Sequence, residues 1–126
     1  MTDLKKLIRQ EIPSIIKIEN FSAEEKFQNE VLRPIIKLQH DLILSYFKHY
    51  LKKNKVKMNE LNNTQKMDLT HKLFKSNTPI KTELRGLILG LLSLEEFKEY
   101  LSLSSQLNKR ISNMIKQRID SCYVIE

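Results

Sequence analysis

Apolar residues recur along this chain at intervals of three and four, and almost every such stretch opens on a residue able to cap a helix. That interval lines one face of a 3.6-residue turn, whereas a half-buried strand needs strict alternation. Ser22 with Glu25 and Ser93 with Glu96 have the spacing of a capping box, in which hydroxyl and carboxylate each satisfy a backbone N–H of the other's residue. Phe21 stands as the outer half of a hydrophobic staple. Thr78 followed by Pro79 reads as a cap and a first helical residue. Only two glycines and three prolines occur in 126 residues, too few for a sandwich of short strands. The fold class expected is all-α. One domain over residues 1–126 would form an orthogonal bundle of five or six helices around a long Pro-kinked central helix.

Thr2 opens a short helix from Asp3 to Glu11, ended by Pro13, and Ile15, Ile16 and Ile18 follow in a connector. The central helix spans Ser22 to Lys53. Phe27, Val31, Ile35, Leu38, Leu42, Tyr46 and Tyr50 form its first apolar line, with Leu32, Ile36, Ile43 and Phe47 beside it. Pro34 denies it one hydrogen bond and should bend it. Lys52 to Asn63 reads as the main loop, and Asn62 or Asn63 caps the next helix, which ends at Ser76-Asn77. Pro79 to Leu92 is apolar nearly all round near its end and should be buried, with Gly86 and Gly90 spaced for a close helix contact. A short helix through Phe97, Tyr100 and Leu101 precedes a last one from Ser104 or Ser105 to Cys122.

With 40% hydrophobic and 29% charged residues, the composition is that of a soluble protein. No stretch reaches the roughly 18 apolar residues of a membrane span, and no membrane partner is expected. The start lacks the layout of a secretory signal. A lone cysteine, Cys122, fits a reducing cytoplasm. The net charge of +7 suits either an anionic partner or simply a lysine-rich solvated surface.

No constellation of catalytic residues emerges, and neither a metal nor a cofactor is expected. His40 and His49 lie nine residues apart and point about 180° from each other. Asp68 and His71 share a face as a surface pair, and neither Glu-x-x-His nor His-Glu-x-x-His occurs. Glu95, Glu96 and Glu99 are explained by the helix dipole after Ser93. Cys122 has no histidine near it in sequence, and no Gly-x-Ser-x-Gly elbow exists.

Three groups of residues remain as candidates. His49, Gln39 and Arg118 project among apolar neighbours and mark a polar pocket; Arg118 must find a partner there, snorkel, or face another subunit. Lys48, Lys52, Lys53, Lys55 and Lys57, with Lys109, Arg110 and Lys116, form two acid-free basic clusters able to hold an anion. Leu44, Phe47 and Leu51 suggest an exposed strip for a partner helix or a second copy.

Glu30-Val31-Leu32-Arg33-Pro34-Ile35-Ile36-Lys37, Gly86 to Phe97 and Leu107-Asn108-Lys109-Arg110-Ile111 resemble a group of short, uncharacterised, all-helical bacterial proteins. The likeness runs over most of the chain and implies one intact helical domain. Some of that group carry the label glyoxalase. The glyoxalase I family is built from paired βαβββ modules with histidine and glutamate ligands on strands, and this chain has neither pattern. The resemblance therefore implies a fold and no activity. The reading that follows is a non-enzymatic helical interaction module, self-associating or bound to another protein. Nucleic-acid or other polyanion binding through the lysines is the alternative, and a small enzyme with a pocket near His49 the distant one.

Overall fold

A computed structural model describes residues 22–76 and 78–124; the expected helix after Thr2, the isoleucine connector and Phe21 lie outside them. The described residues are all-α. In chain order they form α1 (Ala23–Phe27), a π-helical turn (Gln28–Leu32), α2 (Arg33–Leu38), α3 (His40–Lys53), a 3₁₀ turn (Met58–Glu60), α4 (Asn63–Lys75), α5 (Pro79–Leu89), α6 (Leu94–Ser102) and α7 (Ser104–Tyr123). None of the helices is long and apolar enough to cross a membrane.

The caps form where the sequence places them. Ser22 Oγ accepts the N–H of Glu25 at 3.2 Å. Asn62 and Gln65 exchange side-chain-to-backbone bonds of 2.8 and 2.9 Å, and Ser93 and Glu96 do the same at 3.2 and 2.9 Å. Thr78 Oγ1 accepts from the N–H of Lys81 and donates to the carbonyl of Leu73, tying the end of α4 to the start of α5.

The run from Ala23 to Lys53 is helical almost throughout but does not keep one α-helical register. Ahead of Pro34 the backbone widens into a π-turn, where the N–H of Arg33 reaches back five residues to the carbonyl of Gln28. Proline donates no hydrogen bond, and its ring crowds the carbonyl four residues before it; a wider turn moves that carbonyl away. A second interruption falls at Gln39, whose φ of −90° and ψ of 7° leave the helical region. The Gln39 side chain donates to the carbonyl of Leu87 at 3.0 Å, satisfying one of the last carbonyls of α5.

The π-turn shifts the buried face by one residue relative to a continuous projection, since one extra residue rotates everything after it by about 100°, whereas the N–H groups of Gln39 and Ile43 keep four-residue bonds across the second interruption. The buried row of α3 is Ile43, Phe47 and Leu51, while Leu42 is 54% exposed. One hydrophobic cluster takes side chains from every described helix. Its hub is α7 rather than the Ser22–Lys53 run: Leu107, Ile111, Ile115 and Ile119 form a fully buried row against which α3, α4, α5 and α6 pack. Helix α5 ends at Leu89, three residues before its expected end. Gly86 and Gly90 are exposed, and a Cβ at Gly86 would meet nothing within 4 Å, so no described helix packs on that pair.

Polar contacts lock α7 to α4. The buried hydroxyl of Thr70 donates to Asp120 Oδ1 at 2.7 Å, and within α7 itself Lys116 Nζ donates to the other oxygen, Oδ2, at 2.6 Å. Lys66, itself buried, places its ammonium 2.8 Å from the carbonyl of Tyr123 at the negative end of α7. Tyr123 meets Phe47 edge-on, with centroids 5.4 Å apart. Burial first, and the neighbouring Cys122 second, push the Tyr123 phenol above its ordinary range.

Candidate functional site

His49, Gln39 and Arg118 do not converge. His49 is exposed on the rim of a cleft of about 380 Å³ with Tyr46, Tyr50, Lys53 and Glu83. Gln39 is committed to Leu87. Arg118 lies beside Gln28, Arg33 and Met114 in a separate cleft of about 400 Å³, and its Nη1 sits 3.2 Å from Nδ1 of His40. The π-turn moves the buried face of α3 by one residue, which leaves His49 on the exposed side. Arg118 thus takes a histidine nitrogen on α3 as its partner.

The strip expected at Leu44, Phe47 and Leu51 is not on the surface. Phe47 is 0% and Leu51 6% exposed, and Leu44 is half-buried against the core. Their place on the polar side depended on the unbroken register that the π-turn removes. An exposed apolar ridge does exist on α6, where Leu94, Phe97 and Leu101 are 80%, 38% and 55% exposed. The capping box turns Glu96 and Tyr100 inward instead, and both are buried.

The basic candidates divide. Lys48, Lys52, Lys53 and Lys55 are exposed and form no ion pair among the described residues, and Lys57 has a loose pair with Glu60 at 3.9 Å. Lys52 and Lys53 occupy the last turn of α3, where the helix dipole already favours cations. Arg110 and Lys116 are not free for a ligand. Arg110 Nη1 donates to Gln28 Oε1 at 2.8 Å, and Lys116 is held by Asp120. Both lie on the inner flank of α7, where an unpartnered charge would be costly.

Lys109 has different company. It faces a pocket of about 360 Å³ with Lys75 from the end of α4, Lys81 from the first turn of α5, and Phe74, Asn108 and Ser112. Three helices each bring a lysine to the lining of one concavity, and no carboxylate lines it. None of the three lysines makes an ion pair among the described residues. Sequence reading did not single out Lys75 or Lys81, which sit in separate helices. One signal was present: Lys81 occupies a first helical turn with no acid, although the dipole there favours carboxylates.

Among the described residues no group of three His, Cys, Asp or Glu side chains could hold a metal ion. Cys122 is free and exposed. Searches with this chain matched no family model, no curated protein and no solved structure.

Proposed function

We propose that this chain is a non-enzymatic module that binds a phosphate-bearing anionic partner. The observation that supports this reading is the meeting of Lys75, Lys81 and Lys109 in one acid-free pocket. Cations brought together without counter-charges repel one another, and an anion that displaces their bound counterions relieves that repulsion. The exposed Lys48, Lys52, Lys53 and Lys55 add a diffuse positive field that steers an anion toward the protein.

Binding to a fluorescent single-stranded oligonucleotide, followed by anisotropy across a salt series, tests the reading. The apparent affinity is expected to fall steeply with salt, and the triple variant Lys75→Gln/Lys81→Gln/Lys109→Gln should flatten the log–log slope by about 2. The triple variant Lys48→Gln/Lys52→Gln/Lys55→Gln has the same net charge and should flatten it less. Equal losses in the two triples would reduce the effect to overall charge and overturn the reading.

The α6 ridge supports a second reading, self-association. Leu94, Phe97 and Leu101 stand three and four residues apart and would lie along one seam of a helix pair. Three side chains fall short of the roughly 800 Å² per partner of a lasting interface, so the dimer would be weak. Sedimentation equilibrium should give an average mass that rises with protein concentration, and Leu101→Asp should hold it at the monomer value. A concentration-independent monomer mass for the parent chain would end this reading.

A further inference from the structure

We propose that the pocket between α4, α5 and α7 is a site for the terminal phosphate of a small organic phosphomonoester. The inference rests on the anion-binding reading and sharpens it to one ligand class and one set of donors.

The first argument is chemical uniformity. Every charged group lining the pocket is a cation, and its polar groups are donors or can act as donors. Asn108 has its Oδ1 occupied by the phenol of Tyr100, which fixes the amide orientation and leaves Nδ2 to donate elsewhere. Tyr100 is buried, so this positioning contact is sheltered from water.

The second argument is Ser112. It lines the same pocket, is only 5% exposed, and its Oγ is the one buried side-chain polar atom without a hydrogen-bond partner among the described residues. Buried hydroxyls are normally satisfied, and an orphan in the wall of a lysine-lined pocket calls for an acceptor from outside the chain. A phosphate oxygen is such an acceptor. Ser112 stands one helical turn from Asn108 on α7, so the two project toward the same side.

Charge and size narrow the ligand. A monoester carries close to two negative charges at neutral pH, whereas a backbone diester carries one. Three unpaired ammonium groups match the dianion better. The pocket, about 360 Å³, lies within the range of small-molecule sites and exceeds what a bare phosphate fills. Phe74 forms an apolar part of its wall, suited to the organic portion of the ester.

The test is an NMR titration of the full chain at fixed ionic strength with inorganic phosphate, phenyl phosphate, sodium sulfate and an oligonucleotide lacking terminal phosphates. Phenyl phosphate should saturate a single site, moving the amides of Lys75, Asn108, Lys109 and Ser112. Inorganic phosphate should bind the same site about tenfold more weakly. Lowering the pH through about 6 should weaken phenyl phosphate as it takes up a proton, while leaving sulfate unchanged. Ser112→Ala should weaken phenyl phosphate several-fold with the remaining spectrum intact, and Lys109→Gln by about tenfold; Lys98→Gln, an exposed lysine of α6 outside the pocket, should change nothing. Shifts spread without saturation over the exposed lysines would overturn the proposal, as would Ser112→Ala and Lys109→Gln variants that bind like the parent.

The arms separate the two readings. Salt-sensitive oligonucleotide binding without phenyl phosphate binding rejects the monoester site and keeps the broader reading. Failure of both ligands rejects both.

Discussion

Replacing Phe47 with alanine is expected to lower the free energy of unfolding by about 3–5 kcal/mol. The ring is wholly enclosed, edge-on to Tyr123 and offset-stacked on Tyr50 with centroids 6.3 Å apart. Truncation removes its buried area and leaves a void that the surrounding helices cannot close without shifting. Domains of this size are held by about 5–15 kcal/mol, so the variant would lose a large share of its stability. Urea denaturation followed by circular dichroism measures this, and the midpoint should fall with the slope unchanged. Leu42→Ala is the counterpart. Leu42 is mostly exposed, and its loss should stay within about 0.5 kcal/mol. The pair decides between two registers for α3, since an unbroken projection puts Leu42 inside and Phe47 on a surface strip. A Leu42 effect larger than that of Phe47 would restore the unbroken register.

That contrast locates what the sequence could and could not disclose. Asn62, Thr78 and Ser93 act at a distance of three residues, and local chemistry of that kind is legible from the chain alone. Register over a long helix is different. It accumulates error, and a single π-turn before Pro34 was enough to turn Phe47 and Leu51 inward. Periodicity revealed two adjoining apolar lines without deciding which faced the core. The same limit hid the lysine pocket, because Lys75, Lys81 and Lys109 converge only once α4, α5 and α7 are docked. Ser112 gave no sign of burial, since a serine on a helix reads as solvent-facing until its neighbours are known. The α6 ridge was visible in part: Phe97 and Leu101 kept helical spacing, and what misled was the assumption that apolar spacing implies burial.

Asp120 carries the other large expectation. Its two oxygens accept from Thr70 on α4 and Lys116 on α7, a mostly buried junction between the hub helix and its neighbour. Asp120→Ala should destabilise the fold by about 2 kcal/mol, less than the 3–5 for a fully buried ion pair because water reaches both side chains. Two effects add up here. The Thr70 hydroxyl has a fallback in the carbonyl of Met67 at 3.0 Å on its own helix, so its share of the loss is modest. The larger share comes from Lys116, whose ammonium keeps its partly buried place without a counter-charge. Asp120→Asn retains an acceptor for Thr70 and should lose about half as much. The decisive measurement is a double-mutant cycle with Lys116→Met. Removing either charge strands the other, whereas removing both strands neither, so the double variant should be more stable than the sum of the single losses by about 1 kcal/mol. Strict additivity would mean that the 2.6 Å contact between Lys116 and Asp120 within α7 contributes nothing to stability, leaving the Thr70 bond to account for what Asp120 supplies.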